Sequence, residues 1–250
     1  MKKFSLLLVL FWMLNACEKP SDCIESTGTI ITKEVTVQPF KKLKVYRGIE
    51  VIITQGAESK VVIEAGENFI DNVEVHQNGD QLIFKDETSC NWVRAYGKVK
   101  IHVTTPTLEE VYSKTDRNIS SNGVLTFPYL SFVAMDKDGD GEAGAGTGDF
   151  ILNIDNDYLN IGNNNVSRFY ISGHTNTANL NFYFGDGRIE AQDLIAQNIQ
   201  IFHRGSNDMI IHPVVNLSGD LYSTGNIIAK THPANPDTVV RHYQGRLIYE

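Results

Sequence analysis

Residues 179–229 read NLNFYFGDGRIEAQDLIAQNIQIFHRGSNDMIIHPVVNLSGDLYSTGNIIA. Short apolar runs, among them Asn179-Leu-Asn-Phe-Tyr-Phe184, Asn198-Ile-Gln-Ile-Phe202 and Asn226-Ile-Ile-Ala229, are separated by polar corners. The turn glycines Gly187, Gly205 and Gly225 fall 18 and 20 residues apart. A period of about twenty residues suits one coil of a β-solenoid, in which short strands bend at polar corners and stack on the coil below. Asparagine tolerates left-handed backbone and hydrogen-bonds at corners, so the 21 asparagines of the chain fit a turn every few residues. A two-sheet sandwich also yields short strands and polar turns, but the persistent spacing favours coils. The expected fold class is therefore all-β: a single-stranded, right-handed β-solenoid or β-helix-like domain with a hairpin-rich N-terminal part.

Working towards the N-terminus, the same texture extends back to about residue 107 through Phe150-Ile-Leu-Asn-Ile154, Tyr158-Leu-Asn-Ile161 and Ser167-Arg-Phe-Tyr-Ile171. Before it lie longer runs of period two: Ile49–Thr54, Lys60–Glu64, Asn72–His76, Gln81–Lys85 and Lys98–Thr104. In the last run Val99, Ile101 and Val103 share one face, and Lys100 and His102 the other. Asn78-Gly79 is the best local hairpin signal, joining the strand through Val75 to the strand through Leu82. Towards the C-terminus, Thr231-His-Pro-Ala-Asn-Pro-Asp237 reads as an excursion before Val239-Val240 and Arg246–Tyr249 supply a closing strand.

The chain has 250 residues, with 42% hydrophobic and 21% charged residues, which fits a globular domain and excludes disorder or a fibre. The length allows one sizeable core or two small ones, not a large multidomain enzyme. Net charge is −8, and removal of a leader containing Lys2 and Lys3 brings it to about −10. That balance repels polyphosphate backbones, so no nucleic-acid partner is expected.

Residues 1–17, MKKFSLLLVLFWMLNAC, carry two lysines, an apolar run from Phe4 to Leu14 and then Cys17. As a helix that run rises only about 16 Å against a hydrocarbon core of about 30 Å, so it reads as an export signal and not a span. LNAC resembles the lipobox of bacterial lipoproteins. The resemblance implies a signal peptide over 1–16, acylation of Cys17 and a membrane partner held through two or more acyl chains. Residues 17–28 read as a polar tether and 29–250 as the head. An oxidising compartment leads us to expect a Cys23–Cys90 bridge, closing a loop worth up to about 4 kcal/mol. Two free thiols and a metal site are the alternatives.

Tyr46–Phe84, YRGIEVIITQGAESKVVIEAGENFIDNVEVHQNGDQLIF, is similar to the opening of the autotransporter adhesin head domain of GIN type, through Gly48–Gly56, Ala65–Asn68 and Gly79-Asp80. The corners Gly144–Gly148, Ser172-Gly173, Gly185-Asp-Gly187, Ser218-Gly219 and Ser223-Thr-Gly225 are reduced forms of that family's Ser-Gly repeats. The lipoprotein signal, Cys23 and the segment Cys90-Asn91-Trp92 are also similar to lipoprotein members of Bacteroidetes type. The resemblance spans roughly residues 35–230. It implies a β-solenoid on a cell-envelope lipoprotein at the bacterial outer membrane, facing the periplasm or the exterior, with an adhesion, scaffold or glycan- or protein-binding role and no established catalysis.

Asp136-Lys-Asp-Gly-Asp-Gly-Glu142 begins like a hard-cation loop, with Asp136, Asp138 and Asp140 at alternate positions, which makes calcium the one cofactor to consider. Thr147 stands where such a loop needs a bidentate Glu. An enzyme acting on extracellular polysaccharide is the competing function. The residues available for a cleft are Asp186, Arg188 and His203, with Glu190 alternating beside them. No H-E-x-x-H pair, G-x-S-x-G turn or phosphate-cradling loop is present. For a binding surface the candidates are Trp92, Tyr96, Tyr170, Tyr183 and Phe202, since rigid stacked strands carrying outward aromatics suit sugar stacking or protein contact, with a glycan or an envelope protein as partner.

Overall fold

The computed structural model describes residues 27–88, 99–136, 139, 141, 144 and 146–250. The strands come in chain order as β1 (Ile30–Val35), β2 (Lys42–Val45), β3 (Ile49–Gln55), β4 (Lys60–Gly66), β5 (Val73–Asn78), β6 (Gln81–Asp86), β7 (Val99–Thr105), β8 (Glu110–Ser113), β9 (Ile119–Ser121) and β10 (Tyr129–Ala134). Four long strands follow, β11 (Phe150–Asn163), β12 (Arg168–Phe182), β13 (Arg188–His203) and β14 (Met209–Leu221). The chain closes with β15 (Ile227–Ala229), β16 (Thr238–Arg241) and β17 (Leu247–Tyr249). A 3-10 turn at Ile70–Asn72 is the one helical element among the described residues. All strands belong to one large sheet that curls into a near-barrel.

Two ladders run through this sheet. The first follows β1, β4, β7, β3 and β9, the front halves of β11 to β14, then β15 and β17. The second follows β5, β6, β2, β8 and β10, the rear halves of β11 to β14, then β16. Among the described residues only β1–β4, β4–β7 and β5–β6 pair antiparallel, and the other pairings are parallel. Phe150 lies opposite Phe169, Phe169 opposite Ile189, Ile189 opposite Met209, Met209 opposite Ile227 and Ile227 opposite Leu247. Each step is close to the twenty-residue period of the sequence.

Period two sorts each strand. Val99, Ile101 and Val103 are buried while Lys100 and His102 are not, as their alternation requires. The inward side chains of both ladders share one core, in which Phe132, Phe150, Phe169, Phe182 and His203 form a column with successive ring centroids 5.7, 4.6, 5.9 and 6.1 Å apart. Each fully buried Phe contributes about 2–3 kcal/mol of apolar transfer.

The structure departs from the sequence expectations in three places. The runs Phe150–Ile154 and Tyr158–Ile161, expected as separate short strands, are one strand whose ladder bonding carries through the bend at residues 155–157. The front is less rich in hairpins than expected: β5–β6 is the tight hairpin, with Asn78 opposite Gln81 and Gly79 at φ +59°, but β3 and β4 flank β7 instead of pairing. Residues 231–237 are no excursion either. The amides of Ala234 and Asn235 donate to the carbonyls of Val214 and Val215, and the closing strands number two, one on each ladder.

Candidate functional site

The outer side of the second ladder is built by the same alternation. Ala178, Leu180 and Phe182 point inward on β12, leaving Asn179 and Asn181 outward. Ile199, Ile201 and His203 point inward on β13, leaving Gln200 and Phe202 outward. On β14 the inward Gly219, at φ +132°, brings its Cα so close to β13 that a Cβ would stand 1.9 Å from the Ile201 carbonyl oxygen. A side chain there would part the two strands, and with them the residues they present.

Past the strand ends the ladder continues through single bonds: Tyr183 N to Asn163 O at 2.9 Å, Arg204 N to Phe182 O at 2.7 Å, Tyr222 N to His203 O at 2.8 Å and His242 N to Leu221 O at 2.9 Å. These bonds bring the rings of Tyr183, Phe202, Tyr222 and His242 into one file. Neighbouring centroids lie 5.7, 5.3 and 4.0 Å apart, and the last pair is stacked within 7°. Tyr183 and Tyr222 are 41% and 40% exposed, and Phe184 and Tyr243 widen the border at 54% and 58%. At the end of the file Asp220 Oδ1 accepts from His242 Nε2 at 2.7 Å.

Behind the rings the face is made of amides tied coil to coil. Asn181 Nδ2 donates to Asn160 Oδ1 (3.3 Å), and Asn160 Nδ2 to Ser131 Oγ (2.9 Å). At the opposite border Asn235 Nδ2 donates to Asn216 Oδ1 (2.7 Å) and Asn216 Nδ2 to Asn198 Oδ1 (2.5 Å). Such bonds hold the side chains in place before any ligand arrives, which lowers the ordering cost of binding. Exposed rings offer apolar stacking faces, and the fixed amides offer donors and acceptors without charge.

Of the residues expected at a binding surface, Tyr183 and Phe202 meet in this file. Tyr170 is 37% exposed but belongs to the outer side of the first ladder, in register with Ile151 and Glu190. Trp92 and Tyr96 lie outside the described residues, as do Cys17, Cys23, Cys90, Asp138 and Asp140. Asp136 is engaged by its neighbours: its amide donates to Asn164 Oδ1 at 3.0 Å, and its carboxylate accepts from Asn165 Nδ2. No group of three or more His, Cys, Asp or Glu able to hold a metal occurs among the described residues. Asp186, Arg188 and His203 do not form a cleft. Asp186 accepts from Ser206 (2.8 Å), Arg188 pairs with Glu190 (2.5 Å) and Asp208 (3.4 Å), and His203 is fully buried. Tyr222 and His242 are the members that sequence reasoning missed. Their signal was present, since Phe202, Tyr222 and His242 stand 20 residues apart, the step of the parallel register.

A family model described as putative auto-transporter adhesin, head GIN domain, matches residues 39–233. Among solved structures, a putative adhesin from Bacteroides fragilis NCTC 9343 is similar at 19% identity and TM-score 0.79, covering 90% of this chain and 100% of that one. A putative adhesin from Parabacteroides merdae ATCC 43184 is similar at 20% identity and TM-score 0.62, covering 90% and 98%. A putative lipid binding protein from Parabacteroides distasonis ATCC 8503 is similar at 14% identity and TM-score 0.64, covering 90% and 99%. At these identities the likeness carries the fold. No curated protein matches the chain.

Proposed function

Because the chain belongs to the family of the putative auto-transporter adhesin head GIN domain, we propose that it is a non-catalytic adhesion protein of the cell envelope that binds an extended glycan. The observation that carries this reading is the file Tyr183–Phe202–Tyr222–His242, four rings in sequence along the stack beside a face of fixed amides. Sugars present apolar C–H faces and polar hydroxyl edges, so a surface that pairs rings with uncharged amides complements both. The coils are read as a right-handed solenoid, supported by parallel register in steps near twenty residues and by the strong preference of parallel crossovers for the right hand. Residues 29–250 form this head, 17–28 tether it, and acylated Cys17, freed by removal of 1–16, anchors it in the bacterial outer membrane. A Cys23–Cys90 bridge would clamp the tether to the head.

A glycan array probed with the purified chain tests the reading. The expected result is retention of one class of oligosaccharide by the wild type, with affinity about 10- to 100-fold lower in the Tyr183→Ala/Tyr222→Ala double variant and an unchanged melting temperature. Each lost stacking contact is worth about 0.5–1.5 kcal/mol. Undiminished binding by the double variant, or an array with no retained glycan, would overturn it.

A further inference from the structure

The border of the second ladder opposite the ring file carries a cleft of about 230 Å³, set where the long strands bend from one ladder to the other. Asp155 and Asp157 of β11 face outward on either side of inward-pointing Asn156, and β12 brings His174 and Asn176 against them, with Asp155 opposite His174. Gln197 of β13 completes the polar wall. Among the described residues neither Lys nor Arg lines the cleft, and His174 is the one basic side chain beside its two carboxylates. Asn176 Nδ2 donates to Asp157 Oδ1 at 2.7 Å, which orients one carboxylate. Asn156 is 9% exposed and spends its Nδ2 on the Tyr158 carbonyl at 3.2 Å, bracing the bend beneath the cleft.

We infer that this cleft is a second carbohydrate subsite, one that seats a single pyranose ring, neutral or amino-substituted. The inference rests on the reading of the second ladder as a glycan-binding face. The volume lies below the roughly 300–1,000 Å³ of pockets for drug-sized ligands, which suits one ring and not an oligosaccharide. Carboxylates accept from adjacent sugar hydroxyls, and the amides of Asn176 and Gln197 supply further polar contacts. Two carboxylates in so small a wall disfavour hexuronates and favour a hexosamine. From Asn176 the strand runs to Tyr183 over about 23 Å at roughly 3.3 Å per residue, so one glycan can end in the cleft and cross the amide rows to the rings.

Titration of the full chain with methyl glucoside, methyl galactoside, glucosamine, glucuronate and calcium chloride, followed by NMR shifts of the cleft residues, tests the subsite. Saturable binding of a neutral hexose or glucosamine is expected at millimolar concentration, with none for glucuronate. Asp155→Asn/Asp157→Asn should weaken it at least tenfold, about 1.4 kcal/mol, while Tyr183→Ala/Tyr222→Ala leaves it intact. Both aspartates are exposed, and Asn keeps an acceptor towards Asn176, so the melting temperature should not move. Absence of any saturable monosaccharide binding, indifference to the aspartate variants, or carboxylate-dependent binding of calcium alone would each overturn the inference. Oligosaccharide binding that needs Tyr183 and Tyr222 but ignores Asp155 and Asp157 would sink the cleft and leave the ring file standing.

Discussion

At the scale of single residues, polar side chains turned into the core mark the bends. Thr105 Oγ1 donates to the Thr107 carbonyl (2.8 Å), Asn156 to that of Tyr158 (3.2 Å), Thr175 to that of Thr177 (3.2 Å) and Asn163 to that of Asn165 (3.3 Å). A chain that turns a corner loses ladder partners, and a side chain two residues back replaces them. His203 is the titratable member of this set. Its Nδ1 accepts from Gly205 N at 3.3 Å, which assigns the proton to Nε2, and Nε2 has no partner among the described residues. Burial pushes the imidazole down to about 4. An unfolded chain takes up that proton near pH 6.5, so the neutral imidazole's contribution is whole above pH 6.5 and is lost as pH falls towards 4, by about 3 kcal/mol. Urea unfolding at pH 7 and pH 4 should show a loss about 3 kcal/mol smaller in His203→Phe than in wild type; equal losses would refute the assignment. Asparagine richness made the bends legible in the sequence, but which asparagines face inward was not, because facing depends on where each bend falls in the register.

At the scale of the element, the sequence showed the strands and hid their length. Asp155-Asn156-Asp157 looks like a break between two strands because local pattern reports side-chain polarity, whereas the parallel ladder bonds backbone to backbone and passes through a polar bend. The column of rings is a property of stacked elements. Phe169 lies 4.6 Å from Phe150 at an interplanar angle of 5° and 5.9 Å from Phe182. Phe169→Ala should therefore cost about 3–5 kcal/mol in chemical denaturation. Its neighbour Tyr170 points the other way and is 37% exposed, so Tyr170→Ala should cost no more than about 1 kcal/mol. Similar losses at both positions would contradict the alternation on which the ladder rests.

At the scale of the molecule, stability differs along each ladder, because the strands at its ends have a neighbour on one side only. Among the described residues β16 pairs only with β14, and β17 only with β15, whereas β12 and β13 are bonded on both sides along both ladders. Hydrogen exchange should thus release the amides of β16 and β17 well before those of β12 and β13. Simultaneous exchange of all four would mean that the stack opens as one unit. Alternation, polar bends and a period near twenty residues are local properties of the chain, and they determined by themselves an all-β molecule whose strands alternate between two faces. Which outward residues become neighbours was decided only in three dimensions. Register shifts between Tyr170 and Ser172 and between Glu190 and Ile195 absorb unequal coil lengths. Hydrogen-bond register between neighbouring strands thus assembled the ring file along its 20-residue spacing, put Tyr170 on the other ladder and drew Asp155 and His174 to one cleft.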